Sequence, residues 1–340
     1  MRQHRERGRV AARQVVTLVL AAVLALGACG ANPAEHTGGE PQRPTGPTVL
    51  RVALFPAGAT LPARIALTQG MFERHGLRVE ITEGTDLPVF MAALAKGQYD
   101  IAQSGPTLAL IGAEKHLDVQ IVAGLARQSQ ERPNAVWVTK DPTIDTVTEL
   151  RGKTVAVPSL TGLIVDSLVY LLGLGGVGRD EVRFVAVPFP AMGDQLEAGN
   201  VDAAVATIPF FTSLAARGFL VHDDIVVAAV HAASAGSLDT AITSVWAAPN
   251  RLGRDHPETV RAFRRSLTEA VDFLEADESR ARTLMQSWLK IPPQVIQHAP
   301  LPDWTVEMTA QQLAPYSTIA RAAGSTTSEP DVGSLVWQGP

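Results

Sequence analysis

The chain contains one nine-residue pattern twice, and this repeat limits what it can fold into. "LAKGQYDIA" covers 94–102 and "LEAGNVDAA" covers 196–204, so both copies read L-x-x-G-x-x-D-x-A. The residues before each copy also match, because strand, small-residue loop, helix, strand and helix patterns follow one another from Val49 and again from Lys153. Two units of the same plan predict an α/β protein with two lobes, each built on a sheet rich in parallel strands.

We expect lobe 1 to comprise residues 49–136 plus 247–340, and lobe 2 to comprise residues 137–246. Two strand-like segments, "NAVWVT" (Asn134 to Thr139) and "ITSVWAA" (Ile242 to Ala248), flank the second unit. We interpret them as the two crossover segments of a hinge on which the lobes close. Their tryptophans could equally be core aromatic residues.

The chain after Ala248 reads as helical. Pro257 begins an amphipathic pattern with an apolar stripe that includes Val260, Phe263 and Leu267. A second helix contains Trp288, and a third is predicted over 305–322. We expect these helices to pack on the first lobe.

The glycine-rich stretch "GLGGVG" at 173–178 fits the dinucleotide-binding pattern G-x-G-x-x-G. That pattern binds a pyrophosphate only where it follows a strand and opens a helix, because the helix N-terminus must face the ligand. Here the glycines follow a helical segment and precede a strand. The stretch therefore predicts the end of a helix and a turn, not a nucleotide site.

The N-terminus predicts export and a lipid anchor. An arginine-rich start is followed by an apolar run from Val15 to Leu26, which has the length of a signal-peptide core. "LGAC" then resembles the bacterial lipobox, and Cys29 is the only cysteine of the chain. We expect a signal peptide over 1–28, lipid on Cys29, and a disordered tether over 29–48 that is rich in proline and glycine. A short membrane anchor or a core helix is the alternative for the apolar run.

Charge and composition argue against nucleic acid as a partner. The chain carries a net charge of −5 and only 5% aromatic residues, so it has neither a basic field nor an extensive stacking surface.

We expect a monomer on the outer face of the cell membrane, without a cofactor or a bound metal.

Ligands of such folds bind beyond the carboxyl ends of the parallel strands, where this chain has loops of small and polar residues. Facing one another across a cleft, these loops could surround a small molecule. The predicted ligand-binding residues are Phe55, Pro56, Gly58, Thr60, Ser104, Gly105, Thr107, Arg127, Ser159, Thr161, Gly162, Thr207 and Pro209.

The segment "SLTG", which opens the helix at Leu163, is the best candidate for holding an anion through backbone N–H groups. An ordinary helix cap is the alternative. Arg64 and Arg127 could add positive charge, although solvated arginines are the more common outcome. A heterocyclic ligand would instead require aromatic stacking. The aromatic residues near the candidate loops are Phe55, Phe189, Phe210 and Phe211.

Five segments together resemble a known family: "TQGMFERHGLRVEI", "AALAKGQYDIAQSGP", "ELRGKTVAVPSLTG", "LEAGNVDAAVATIPF" and "DHPETVRAFRRSLTEAVDF". The chain resembles the solute-binding lipoproteins of ABC importers, in the branch that binds nitrate, sulfonates, taurine and pyrimidine precursors of thiamine. The resemblance implies a type 2 periplasmic-binding-protein fold that closes on a small molecule and docks on a permease with its ATPase. Many relatives have Glu-Pro where this chain has Ile208-Pro209, which removes one carboxylate from the predicted cleft.

Two other functions stay open at the sequence level. An enzyme on the same fold could use Ser234 in "AASAG", or a metal on "HDD" at 222–224, although the first lacks the strand-turn-helix of a hydrolase elbow and the second reads as a solvated turn. Loss of ester hydrolysis on Ser234→Ala would support the enzyme. A surface lipoprotein that senses its ligand would use the same cleft, and a neighbouring sensor-kinase gene would favour it.

Overall fold

The computed structural model describes residues 48–208, 210–297 and 299–339. The predicted signal peptide, the lipidation of Cys29 and the tether up to residue 47 lie outside the described residues, as does Pro209. The strands are β1 (Thr48–Leu54), β2 (Leu77–Glu83), β3 (Ile101–Ser104), β4 (Gln120–Gln128), β5 (Ala135–Thr139), β6 (Thr154–Val157), β7 (Arg183–Ala186), β8 (Ala203–Thr207), β9 (Leu220–Asp224), β10 (Ala241–Ala248) and β11 (Asp303–Trp304).

Helices cover both sheets. They are α1 (Leu61–Thr68), α2 (Met71–Arg74), α3 (Leu87–Ala95), α4 (Pro106–Glu114), α5 (Leu163–Leu174), α6 (Phe189–Glu197), α7 (Phe210–Ala216), α8 (Ile225–Ala233), α9 (Asn250–Asp255), α10 (Pro257–Glu275), α11 (Glu278–Leu289), α12 (Pro293–Ile296), α13 (Ala310–Ala322) and α14 (Val332–Leu335). The amphipathic pattern after Pro257 is confirmed, because α10 buries Val260, Phe263 and Leu267 in the core of the first sheet.

The strands form two mixed sheets. The first sheet has the order β11-β4-β10-β3-β1-β2, and the second has the order β7-β6-β8-β5-β9. Each contains a parallel group of three strands, β2-β1-β3 and β7-β6-β8, with antiparallel strands added on one side. The predicted α/β class with two parallel-rich sheets is confirmed.

The repeated pattern has the same structural role in both sheets. In the first copy the Asp100 carboxylate accepts a hydrogen bond from the N–H of Arg51 at 2.8 Å, and the Asp100 N–H donates to the Arg51 carbonyl at 2.9 Å. In the second copy Asp202 makes the same two bonds with Thr154, at 2.7 and 2.8 Å. Each aspartate thus ties the start of one parallel strand to a neighbouring strand, β3 to the middle of β1 and β8 to the start of β6, which fixes their register.

The stretch "GLGGVG" ends a helix, as its context predicts. Helix α5 stops at Leu174, Gly175 caps it, and Gly176 adopts a positive φ of 72° before the chain turns toward β7. A residue with a side chain is strained at that φ, so the glycine at 176 serves the turn.

The crossover segments differ from the prediction. The segment from Asn134 to Thr139 contains β5, which is wholly within the second sheet, and the segment from Ile242 to Ala248 lies in β10, wholly within the first sheet. The chain passes between the sheets in the short connections 129–134 and 234–240 on their flanks. Alternating apolar residues in these strands belong to the two cores, and Trp137 and Trp246 are both buried there.

The C-terminal third also differs in two places. The predicted helix over 305–322 begins only at Ala310, because Thr309 and Gln312 form a capping box that starts it there. The two residues before this segment form β11, an edge strand on β4 that the sequence analysis did not predict.

Helix α13 packs against helices of both halves, and not on the first lobe alone. It contacts α4, which follows β3, as well as α5 and α8, which cover the second sheet. Its buried residues Leu313, Tyr316 and Ile319 belong to one continuous core that also contains Leu110 from α4 and Leu168 from α5. The two sheets are therefore joined by a shared helical core in addition to the two connections.

Candidate ligand cleft

In each sheet, one end of the strands carries the predicted ligand loops. These two ends meet around the connection 129–134, which is called the junction below. In the first sheet Ser104 at the end of β3 and Gly124 in β4 both pair with Val245, and β4 continues to Gln128, which pairs with Ala241. In the second sheet the start of β5 lies beside the end of β8. The connection 129–134 leads directly from the first of these edges to the second, so the loops of both sheets flank the same junction.

Asp224 holds this junction together. Its side chain is fully buried and accepts hydrogen bonds from the Gln128 amide at 3.0 Å and from the N–H groups of Asn134 and Ala135 at 2.8 and 2.9 Å. It also caps α8 by accepting from Val226 and Val227. Burial raises the pKa of Asp224, against the lowering effect of these backbone bonds.

Gln130 completes the same junction from the connection itself. Its side-chain amide accepts from the Asp224 N–H at 2.9 Å and donates to the Asp224 carbonyl at 3.1 Å. The segment "HDD", predicted to be a solvated turn or a metal site, instead contributes Asp224, which joins two segments some 90 residues apart. The part of the chain that the structure describes contains no group of three or more His, Cys, Asp or Glu side chains placed to hold a metal.

The first-sheet loop from Phe55 is shaped by its own side chains. Thr60 is buried, and its hydroxyl lies 2.8 Å from the Phe55 carbonyl and 3.1 Å from the Ala57 N–H, so it serves the turn and is not exposed to a ligand. Gly58 has little room, since a Cβ there would lie 3.0 Å from both Met285 and Pro302. The phenyl ring of Phe55 remains exposed, at 40%.

Two residues outside the predicted set position this loop. The buried amide oxygen of Gln103 accepts from the Phe55 N–H at 2.8 Å. The indole N–H of Trp304 donates to the Gly58 carbonyl at 2.9 Å. Sequence reasoning missed both, because neither residue lies in a loop. Gln103 is an isolated polar residue inside a strand, and only that feature marks it in the sequence.

The second predicted loop of the first sheet is largely buried. Ser104 is fully buried, and Gly105 precedes α4 as its N-cap. Thr107 is also buried, and its hydroxyl has no hydrogen-bond partner among the described residues. These residues lie at the end of β3, and the burial of Ser104 and Thr107 leaves little of them exposed to a ligand. Arg64 is half-buried on α1 and makes no ion pair within the described residues.

In the second sheet, the loop at 159–162 is open to solvent. Ser159 and Thr161 are exposed, and Gly162 precedes α5 with a φ of 99° that favours glycine. No side chain caps α5, so the alternative of an ordinary helix cap at "SLTG" is not observed, and no capping side chain accepts from the first N–H groups of the helix.

A buried carboxyl group lies in the first turn of the same helix. Asp166 accepts a hydrogen bond from the Ser325 hydroxyl at 2.7 Å, and its other oxygen has no partner among the described residues. Burial raises its pKa to about 6, while Ser325 and Arg179 act in the opposite direction. When it is ionised, Asp166 places negative charge where the helix dipole would otherwise favour an anion.

The remaining predicted residues of the second sheet lie near two stacked aromatic rings. Thr207 ends β8 half-buried, and Pro209 beyond it is outside the described residues. Phe189 and Phe210, which begin α6 and α7, stack with ring centroids 5.3 Å apart. Both rings are partly buried against the core that contains Phe211.

Arg127 is not a free cation. It lies on β4 three residues beyond Gly124, and its guanidinium forms an ion pair with Asp303 of β11 at 3.0 Å.

Ser234, the alternative nucleophile, ends α8 and donates to the His231 carbonyl at 3.0 Å, outside any strand-turn-helix.

A search of protein families matches residues 60–281 to the family described as "NMT1/THI5 like". The taurine-binding periplasmic protein of Escherichia coli (strain K12) is 25% identical over 210 residues, 62% of each chain. Two solved structures share the fold. The periplasmic aliphatic sulphonate binding protein SsuA from Escherichia coli superposes with a TM-score of 0.70 at 16% identity, over 86% of this chain and 98% of that one. The alkanesulfonate-binding protein SsuA from Xanthomonas axonopodis pv. citri, bound to MOPS, gives 0.66 at 17%, over 86% and 99%.

These likenesses agree with the two-sheet architecture, and the predicted periplasmic-binding-protein fold is confirmed. Among the described residues, no helix is both long enough and apolar enough to cross a membrane.

Proposed function

The chain belongs to the NMT1/THI5-like family, and from that premise we propose that it is an extracytoplasmic solute-binding protein that closes on a small molecule. It hands this ligand to an ABC permease and its ATPase. The observation that carries the proposal is the junction at Asp224, where the loop-bearing edges of two sheets converge on short connections. Such a junction lets two lobes approach each other over a ligand while the sheets stay intact.

The ligand belongs to the class of small sulfonates, nitrate, taurine-like molecules or pyrimidines. The open N–H groups of α5 offer hydrogen bonds to a polar head group, and the stacked pair Phe189 and Phe210 offers an apolar surface beside it. The names of the taurine- and sulfonate-binding relatives point to the same range of molecules. We assign the binding role to the loops at Phe55–Gly58, at 159–162 and at Thr207–Pro209, with no catalytic residue.

The proposal includes a lipid anchor on Cys29 and a tether over 29–48. The protein would act as a monomer on the outer face of the cell membrane, close to the permease that it serves. We propose lobes that consist of the two sheets with their own helices, so that the lobe boundaries fall in the connections 129–134 and 234–240.

Thermal unfolding of residues 30–340 tests the binding role. Each member of a panel of sulfonates, nitrate, pyrimidines, amines and amino acids is added at high concentration. A ligand present at a hundred times its dissociation constant stabilises the folded state by about 2.7 kcal/mol, which raises the unfolding midpoint clearly. At least one compound of the panel is expected to do so. A folded protein whose midpoint responds to none of them would contradict the proposed ligand classes.

A further inference from the structure

The two-residue strand β11 contacts two parts of the first sheet that carry predicted ligand residues. Its Trp304 holds the carbonyl of Gly58, at 2.9 Å, and its Asp303 holds the guanidinium of Arg127, at 3.0 Å. Register places Asp303 directly opposite Arg127, and Trp304 opposite Ala126. A single segment near the C-terminus thus contacts both the Phe55 loop and the cation beside it.

The positive charge of Arg127 affects which ligands can bind, because the neighbouring loops carry no charged side chain. Residues 55–60 and 104–107 contain no ionisable side chain. Arg127 extends past the level at which β3 ends, toward the junction between the sheets. Its side chain is 42% exposed and that of Asp303 is 29% exposed, so a ligand can reach the pair from solvent. An anion there has to compete with Asp303 for the guanidinium and is repelled by the carboxylate.

In the second sheet, too, a carboxylate lies beside a group that could attract an anion. The open N-terminus of α5 favours negative charge, and the carboxylate of Asp166 in its first turn reduces that preference. In each sheet, therefore, a group that could attract an anion is accompanied by a carboxylate of the protein.

We propose that Asp303 determines the charge preference of the cleft: by pairing with Arg127 it disfavours ligands with a net negative charge and leaves zwitterionic or uncharged molecules as the preferred class. This inference rests on the proposed solute-binding function and narrows its ligand class. Arg64 on α1 is another cation of the first sheet. It is unchanged in every variant described below, so it does not account for a difference in affinity between them.

Isothermal titration with two probes tests the inference, at constant ionic strength. Taurine and ethanesulfonate share the sulfonate group and the two-carbon chain, and only taurine carries an ammonium group. In Asp303→Asn the guanidinium loses its charge partner, and the affinity for ethanesulfonate is expected to rise about fivefold over the wild type, which corresponds to the upper range of an exposed ion pair. The gain is expected to disappear in the double variant Asp303→Asn, Arg127→Gln.

Asp118→Asn is the matched control. Asp118 pairs with Arg251 at 3.0 Å near the opposite end of β4, and both side chains are more exposed than those of the Arg127 pair. This control is expected to leave the affinity for ethanesulfonate unchanged. The unfolding midpoint of each variant is measured first, and Asp303→Ser serves as a second variant with the same expectation.

If the affinity for ethanesulfonate is the same in Asp303→Asn and the wild type, including the case in which neither binds it, the inference is overturned. The same holds if the gain persists without Arg127. Failure of the proposed function has a different signature, since it requires that the wild type bind no compound of the wider panel. If the wild type binds an uncharged pyrimidine, for example, the proposed function holds, whatever the affinity of Asp303→Asn for ethanesulfonate.

Discussion

Replacing Asp224 by alanine is expected to lower the free energy of unfolding by about 3–4 kcal/mol, a large share of the stability of an ordinary domain. The substitution leaves the N–H groups of Asn134 and Ala135, the cap of α8 and the amide of Gln128 without their acceptor. Each buried group left unpaired costs about 1–3 kcal/mol, and partial relaxation keeps the sum below the total of the separate terms. Urea unfolding followed by circular dichroism measures the loss.

Asp86→Ala provides the comparison for this variant. Asp86 also caps a helix, α3, but it is exposed and accepts only from the Val89 N–H, at 3.1 Å. Its removal is expected to cost about 1 kcal/mol, the usual value for a cap. If the two alanine variants lost the same stability, Asp224 would be an ordinary cap and not the residue that joins the two sheets.

The second large effect is expected at Tyr316. Tyr316→Ala removes a fully buried ring from the core that α13 shares with both halves, and its expected cost is about 3–5 kcal/mol, as for other large aromatic side chains. Tyr316→Phe keeps the ring and loses only the hydroxyl, which accepts from the Ile242 N–H at 2.7 Å. That variant is expected to cost about 1–2 kcal/mol.

The comparison between the two variants distinguishes packing from hydrogen bonding. A core shared by both halves also predicts a single cooperative transition, with the same midpoint by tryptophan fluorescence and by circular dichroism. Two separate transitions in the wild type, or equal losses in the alanine and phenylalanine variants, would contradict the role assigned to α13.

Local patterns were sufficient to predict much of the fold. The repeated L-x-x-G-x-x-D-x-A segments identified two equivalent units, and the structure explains why, since Asp100 and Asp202 connect parallel strands in the same way. The glycines at 173–178 could be assigned to a helix end from the order of the neighbouring elements. Periodicity identified α10 because a long amphipathic stripe has few alternative structures.

The parts that sequence could not predict depend on contacts between distant residues. Arg127 and Asp303 are separated by 176 positions, and β11 is too short to have a periodic pattern. Thr60 looked like a ligand hydroxyl because its loop was correctly located, but the direction of its side chain is set by the turn. The true connections between the sheets were missed, since the strands beside them carry the stronger apolar signal.

Closure of the two lobes over a ligand is the central claim, and a distance between them tests it most directly. Val89→Cys on α3 and Ser213→Cys on α7 place two labels on exposed positions of helices that start at the loop-bearing edges of the two sheets. Residues 30–340 contain no other cysteine, so only these positions react with a spin label. Pulsed electron paramagnetic resonance is recorded with each compound of the panel. We expect at least one compound that raises the unfolding midpoint to shorten the distance by several ångströms. A distance that stays the same with every compound, including those that stabilise the fold, would contradict the account.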